Sequence, residues 1–281
     1  MIIVDGKKIA NNMLAEIAGE VRELKQPLNL ASVLIGDINN ARKFLEIKQK
    51  AAKKVGIGFK LYEFPETIGQ EALMEEIKKI AEDDKNHGVI IELPLPKHLA
   101  PRKLLDLIPH EKDPDILSSA AQDLFYSNKS SVLPPAVEAV KKIFLEYNID
   151  LKNKKIAVFG HGILVGKPIA HWLEKQGAKV SIIDELTPKP ETISRNVDMV
   201  ISGVGHANLI IPDMVKAGVI AIDFGFNSTT PGATTPGVTG DISQDIAEKA
   251  FLFTPVPGGV GPIVVASVLK NLITLTQNDK N

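Results

Sequence analysis

The sequence predicts an α/β fold, and three observations predict it. Short apolar runs alternate with amphipathic ones along the chain. Several of these runs are apolar without alternation, as expected of strands buried on both faces of a parallel sheet. Two loops rich in glycine, at residues 160–166 and 253–262, each lie between a short apolar run and a helix-like segment.

Taken in order, strands are expected at 30–35, 58–64, 88–93, 155–159, 179–183, 199–202 and 219–224. Helices are expected at 6–24, 39–55, 70–84, 101–107, 134–147, 164–176 and 260–275. The βαβα order argues for a parallel α/β architecture. Residues 118–135, SSAAQDLFYSNKSSVLPP, are small and polar and end in two prolines. They read as the crossing from an N-terminal domain, 1–133, to a Rossmann-type domain, 134–261. The last helix, within 262–281, has no strand after it and is expected to return to the N-terminal domain. Residues 229–237, TTPGATTPG, read as a short exposed loop.

Composition bounds the function. A chain of 281 residues with 44% hydrophobic and 24% charged residues has ample material for a core. The net charge of -1 gives no overall attraction to nucleic acid or an anionic membrane. No run approaches the ~18 apolar residues of a membrane span. The start, MIIVDGKKIANNML, lacks the basic and apolar regions of a signal peptide. A cytoplasmic protein without nucleic-acid or membrane partners is expected. The absence of cysteine excludes disulfides, thiolate metal sites and thiol nucleophiles. The six histidines show no metal-ligand spacing, so no metal is expected.

The first loop follows the apolar run KIAVF and reads Gly160-His161-Gly162-Ile163-Leu164-Val165-Gly166. Its spacing is GxGxxxG. Glycines there allow a tight turn and bring backbone close to a pyrophosphate, with a helix N-terminus aimed at the anion. Asp184 ends the next apolar run. A carboxylate there accepts from a ribose 2′-hydroxyl and repels a 2′-phosphate, which favours NAD over NADP. The bland reading of Asp184 is a solvated loop acid. The second loop holds three prolines and three glycines within 255–262. Such backbone is stiff and bare, which suits close approach to a flat ligand. Two loops of this kind in one chain point to an enzyme with two ligands.

With Val4-Asp5-Gly6-Lys7, Lys48, Leu93-Pro94-Leu95-Pro96, Lys112-Asp113-Pro114-Asp115, Val165-Gly166-Lys167-Pro168, Ile222-Asp223-Phe224-Gly225, Gly240-Asp241 and the loop 254–262, the chain resembles the methylenetetrahydrofolate dehydrogenase/methenyltetrahydrofolate cyclohydrolase family over nearly its whole length. The resemblance implies an N-terminal folate-binding domain, a Rossmann domain, a cleft between them, and a homodimer. It implies oxidation of 5,10-methylenetetrahydrofolate with NAD or NADP, followed by cyclohydrolysis to 10-formyltetrahydrofolate. Lys48 is implied as the lysine beside the one-carbon unit, and Asp115 as the aspartate that grips the pterin edge. Pro257, Gly258, Gly259 and Gly261 are implied to flank the substrate, as are Phe44 and Leu93. Gly160, His161, Gly162, Val165, Gly166 and Phe226 are implied to flank the nucleotide.

Some positions depart from the family pattern. Phe44 stands where a tyrosine is usual, four residues before Lys48 and on the same helix face. Glu92 replaces a glutamine before LPLP. It ends a buried apolar strand and wants a partner, for which Lys48 is the candidate. A carboxylate there would favour the charged ammonium and make the lysine a poorer base. His161-Gly162 replaces a pair that usually includes serine, which removes a partner for a 2′-phosphate. Pro134-Pro135-Ala136 and Ile263-Val264 each stand where the family often has a threonine. These changes touch cyclohydrolase chemistry, which needs a tuned water, more than hydride transfer, which needs positioning. Two alternatives stay open: the same fold acting on another reduced pterin, and a non-catalytic ligand-binding homologue.

Overall fold

The computed structural model describes residues 1–24, 26–36, 39–228 and 237–278, the side chains of 39–41, 43 and 228 apart. The TTPGATTPG stretch therefore lies, but for Gly237, outside the described residues. In chain order the elements are β1 (Ile2–Ile3), α1 (Gly6–Glu23), β2 (Asn29–Ile35), α2 (Asn39–Val55), β3 (Gly58–Phe64), α3 (Gln70–Glu82), β4 (Gly88–Ile91), α4 (Pro101–Leu105), α5 (Ser119–Tyr126) and α6 (Pro135–Glu146). There follow β5 (Lys155–Phe159), α7 (Gly166–Lys175), β6 (Lys179–Ile183), α8 (Glu191–Ser194), β7 (Met199–Ser202), β8 (Ile220–Asp223), β9 (Asn227–Ser228), β10 (Val238–Thr239), β11 (Leu252–Phe253) and α9 (Val260–Asn278).

The chain divides into two compact units. One comprises 11–135 and 265–281, the other 1–10 and 136–264. In the first, β2 is the middle strand of a three-stranded parallel sheet ordered β3-β2-β4. Leu30, Ala31, Val33, Leu34 and Ile35 of β2 are buried, which is why this strand reads as a continuous apolar run. Ser32 interrupts that run and is also fully buried.

Helix α9 belongs mostly to this unit. Leu272 packs on Gly88 of β4. The Asn271 amide donates to the carbonyls of Pro114 and Leu133 at 2.9 and 2.8 Å. Lys270 pairs with Glu20 at 2.6 Å. By length and composition α9 is long and apolar enough to cross a membrane, and most of it is buried inside the protein. Lys270 and Asn271 interrupt its apolar pattern, so the sequence there shows no unbroken apolar run. Buried core helices meet the same length criterion.

The second unit holds a six-stranded parallel sheet ordered β1-β11-β8-β7-β5-β6. Its strands 155–159, 199–202 and 220–223 are almost wholly buried, with Ile156, Ala157, Val158, Val200 and Ala221 at 0% exposure. Chain order reverses at β5, with β6 on one side and β7 on the other. The crevice at the carboxyl ends of such strands is the usual ligand position of an open parallel sheet.

Besides element ends that shift by a few residues and the short elements β1, α8, β9, β10 and β11, two assignments differ from the sequence expectation. Residues 1–10, expected in the N-terminal domain, belong with the six-stranded unit. There β1 pairs with β11, Ile2 opposite Leu252 and Ile3 opposite Phe253. The stretch 118–135, expected as a crossing, contains α5. The Ser118 hydroxyl caps that helix by accepting from Ala121 N–H, and Ala121 and Phe125 bury one face.

Candidate active site and nucleotide-binding loop

Helix α2 carries buried residues at Leu45, Lys48, Ala52 and Val55. The spacing of three, four and three places Lys48 on the apolar stripe, away from the exposed Lys50, Lys53 and Lys54. Its ammonium therefore needs a partner inside the unit. Glu92, one residue past β4, supplies it. The Glu92 N–H donates to Val33 O at 2.9 Å, continuing the sheet by one residue. Lys48 Nζ donates to Glu92 Oε1 and Oε2, both at 2.8 Å. The Ser32 hydroxyl donates to the same Oε1 at 2.9 Å. The Lys48 and Glu92 side chains are 8% and 5% exposed, so this is a buried ion pair. Lys48 Nζ also lies 5.6 Å from the centroid of the Phe44 ring. Leu93 follows, joined to Pro94 by a cis peptide bond.

Asp115 lies in the turn after the short helix His110–Lys112. Asp113 shapes that turn, its Oδ2 accepting from the N–H groups of Leu117 and Ser118 at 2.9 and 2.7 Å. The next residue, Ile116, is held at φ 56°, a left-handed conformation that is costly for a β-branched side chain. Burial pushes Asp115 up to about 6; the Lys48 charge opposes this, and Glu92 and Asp113 add to it. Part of the residue still meets solvent. The desolvation therefore comes from crowding on its inner side.

The glycine loop joins β5 to α7. Gly160 sits at φ +86°, and its N–H donates to Ile183 O at 2.7 Å. A side chain at Gly166 would collide with the carbonyl of Gly160, so the turn closes only with glycine there. Lys167 N–H donates to Gly162 O at 3.1 Å. His161 and Gly162 are exposed, Val165 is half-buried, and a side chain at Gly162 would meet no atom within 4 Å. Asp184 stands just past β6. Its Oδ1 accepts from Thr187 Oγ1 at 2.8 Å and Leu186 N at 3.1 Å. The Thr187 hydroxyl, then backbone donors, hold this carboxyl below its ordinary range. Phe226 follows β8 and is half-buried.

Pro257, Gly258, Gly259 and Gly261 belong to the six-stranded unit. The peptide bond before Pro257 is cis, and Gly258 has φ +105°. Gly259 N–H donates to Pro255 O at 2.7 Å. A side chain at Gly6 would collide with the Gly259 carbonyl, so Gly6 of the N-terminal VDGK motif fits against this loop. Asp5 begins α1 there, its Oδ1 accepting from Lys8 N at 2.9 Å.

Residues 4–115 match the catalytic domain of tetrahydrofolate dehydrogenase/cyclohydrolase, and residues 134–280 match the NAD(P)-binding domain of the same family. The chain belongs to the tetrahydrofolate dehydrogenase/cyclohydrolase family. It is 38% identical over 282 residues to the bifunctional protein FolD of Nautilia profundicola, covering 99% of this chain and 98% of that one. The bifunctional FolD of Campylobacter jejuni superposes with a TM-score of 0.92 at 32% identity, covering 99% of each chain. The Trypanosoma brucei dehydrogenase-cyclohydrolase, solved with NADP and an inhibitor, gives 0.93 at 29% identity, covering 100% of this chain and 98% of that one.

Within this family fold the structure joins Lys48, Glu92 and Phe44 in one cluster, with Asp115 electrostatically linked to it. Reading the sequence missed Ser32, which completes the Glu92 hydrogen bonds. Its signal is a serine inside an otherwise apolar strand. Also missed were the roles of Asp223 and Asp241. Asp223 accepts from the N–H groups of Gly225, Asp241 and Ile242 at 2.7 to 3.1 Å, and burial pushes it up to about 6.

Proposed function

We propose that the chain oxidises 5,10-methylenetetrahydrofolate to the 5,10-methenyl form with NAD or NADP, and hydrolyses that product to 10-formyltetrahydrofolate. The observation that carries this is the buried Lys48–Glu92 pair in the unit that holds most of the family's catalytic domain. A buried ion pair costs desolvation and is seldom kept for stability alone.

The side chains divide the work. Phe44 offers an aromatic face for the pterin ring. Asp115 accepts from the pterin's N–H donors, and its carboxylate form does so most strongly. Lys48 directs an N–H at the one-carbon unit and fixes the water that adds to the methenyl carbon. Glu92 holds the ammonium with both oxygens, and its carboxylate is the base that receives the proton released when water adds.

The nucleotide fits the loop 160–166. A left-handed turn, a close glycine contact and the N-terminus of the ten-residue α7 all serve a pyrophosphate. A nicotinamide nucleotide held there would supply the hydride acceptor that the oxidation needs. Between the two nucleotides we favour NAD. Asp184 stays ionised, Gly162 offers no side-chain donor, and the Arg195 guanidinium already donates to Asp213 O at 2.6 Å. The family resemblance also supports a homodimer, and the cysteine-free composition is in keeping with a cytoplasmic location, as part of this proposal.

A spectrophotometric assay tests the reading. Methylenetetrahydrofolate with each nucleotide should yield reduced nicotinamide. Methenyltetrahydrofolate given without nucleotide should be consumed. Failure of both reactions would overturn the proposal.

A further inference from the structure

We propose that Asp241 is the positioning residue that builds a second wall of the nucleotide site, by fixing the backbone of Val204 and Gly205 beside the glycine loop. The inference rests on the reading of residues 160–166 as the nucleotide cradle.

Asp241 is fully buried. Its Oδ2 accepts from Ser202 Oγ at 2.8 Å, Val204 N at 2.8 Å and Gly205 N at 3.1 Å. Its Oδ1 accepts from the Asn227 amide at 3.0 Å. Four donors among the described residues converge on one buried carboxyl group, which offsets the cost of taking it out of water. Asp241 is held in turn, since its own N–H donates to Asp223 Oδ1. A side chain at Gly225 would collide with Asp241, and one at Gly240 with the Asp223 carboxylate. The two carboxylates thereby lock the loops that leave β7, β8 and β10.

The locked loop after β7 meets the glycine loop. A side chain at Gly203 would lie 2.5 Å from Val165. Val204 Cγ2 lies 3.2 Å from where a Cβ of Gly160 would stand. Yet Val204 is 46% exposed. An apolar side chain that touches the tight turn and still faces solvent, at the carboxyl ends of β5 and β7, is placed to cover a flat ring. Its position depends on the Val204 and Gly205 N–H groups, and both end on Asp241.

The test is calorimetric titration of the full chain with NAD, with NADP and, separately, with tetrahydrofolate. Asp241→Asn turns an amide group toward N–H donors that need an acceptor. It should weaken nucleotide binding about tenfold or more, while tetrahydrofolate affinity stays within about twofold. A merely structural role would weaken both ligands together. Ser202→Ala removes one donor to the same oxygen and should give a smaller loss, about threefold, with the same selectivity. It decides the matter if Asp241→Asn does not fold. Unchanged nucleotide affinity in the folded variant, or equal loss of both ligands, overturns the inference. No nucleotide binding by the unsubstituted protein overturns the reading of the cradle itself, and this inference with it.

Discussion

Lys48 and Glu92 meet through two hydrogen bonds of 2.8 Å, with both side chains largely buried. The pair joins a helix and a strand end 44 residues apart in sequence. Removing one partner leaves the other charge buried, which typically costs about 3 kcal/mol or more. Lys48→Met should therefore destabilise the protein by about that amount and lower methenyl hydrolysis at least 100-fold. The double variant Lys48→Met/Glu92→Gln buries no net charge. Denaturant unfolding should show it more stable than the sum of the single variants by about 2 kcal/mol. Additive effects would mean that the pair is not coupled.

Asp115 makes stability depend on pH in a definite direction. Its folded value of about 6 lies above the ordinary 3.8. Between these values the folded protein binds more protons than the unfolded chain. Stability from this group is therefore present below about 4 and is lost as pH rises through about 6. The full penalty corresponds to roughly 3 kcal/mol at most, and solvent contact at Asp115 reduces it. Asp115→Asn should be about 1–2 kcal/mol more stable than the parent at pH 8 and should lose that advantage at pH 4. Asp223, also pushed up to about 6, contributes the same slope to both proteins, so their difference isolates Asp115. The same substitution should weaken folate binding, and in the parent protein folate affinity should fall as pH drops below about 6. A variant that is no more stable at pH 8 would show Asp115 to be better solvated than its setting implies.

The strands 58–64, 155–159, 179–183 and 199–202 were legible in the sequence. Two of them, 155–159 and 199–202, are nearly uniform apolar runs, as buried parallel strands between neighbours should be, whereas 179–183 forms the half-buried edge strand β6. β1 and β11 are two residues each, too short to show any period. α5 was hidden because small and polar residues dominate it, and its capping serine looks like any loop serine. Lys48 was partly legible: its spacing from Leu45, Ala52 and Val55 marks a buried stripe, but the surrounding lysines mask it. The Asp241 contacts to Ser202 and Asp223 join positions 39 and 18 residues apart. No local pattern reports such pairs, and only the topology of the sheet brings them together.

The glycine loop offers a comparison within itself. Gly166 has no room for a side chain, since a Cβ would collide with the Gly160 carbonyl, whereas Gly162 faces open space. Gly166→Ala must move backbone, so it should cost about 1–3 kcal/mol and weaken nucleotide binding at least tenfold. Gly162→Ala should leave stability within about 0.5 kcal/mol. Thermal unfolding and nucleotide titration of the two variants check this. Equal effects would place the loop in another conformation.

On the proposed reading, the choice of nucleotide turns on the end of β6. Asp184 is exposed and ionised, and Thr187 fixes its Oδ1 through a 2.8 Å hydrogen bond. A fixed carboxylate accepts from a ribose 2′-hydroxyl and repels a 2′-phosphate. The cations expected to offset that repulsion are few. Lys167, Lys189 and Arg195 are the candidates, and Arg195 is engaged by the Asp213 carbonyl. NAD should therefore be used with at least about fivefold higher kcat/KM than NADP at low salt, with the gap narrowing as salt screens the repulsion. Asp184→Ser should close most of that gap by improving NADP rather than by harming NAD. Thr187→Val, which frees the carboxylate to rotate, should close part of it. Steady-state kinetics with both nucleotides at fixed methylenetetrahydrofolate decide the question. Higher efficiency with NADP, unchanged in Asp184→Ser, would mean that the carboxylate serves only the turn it closes with Thr187.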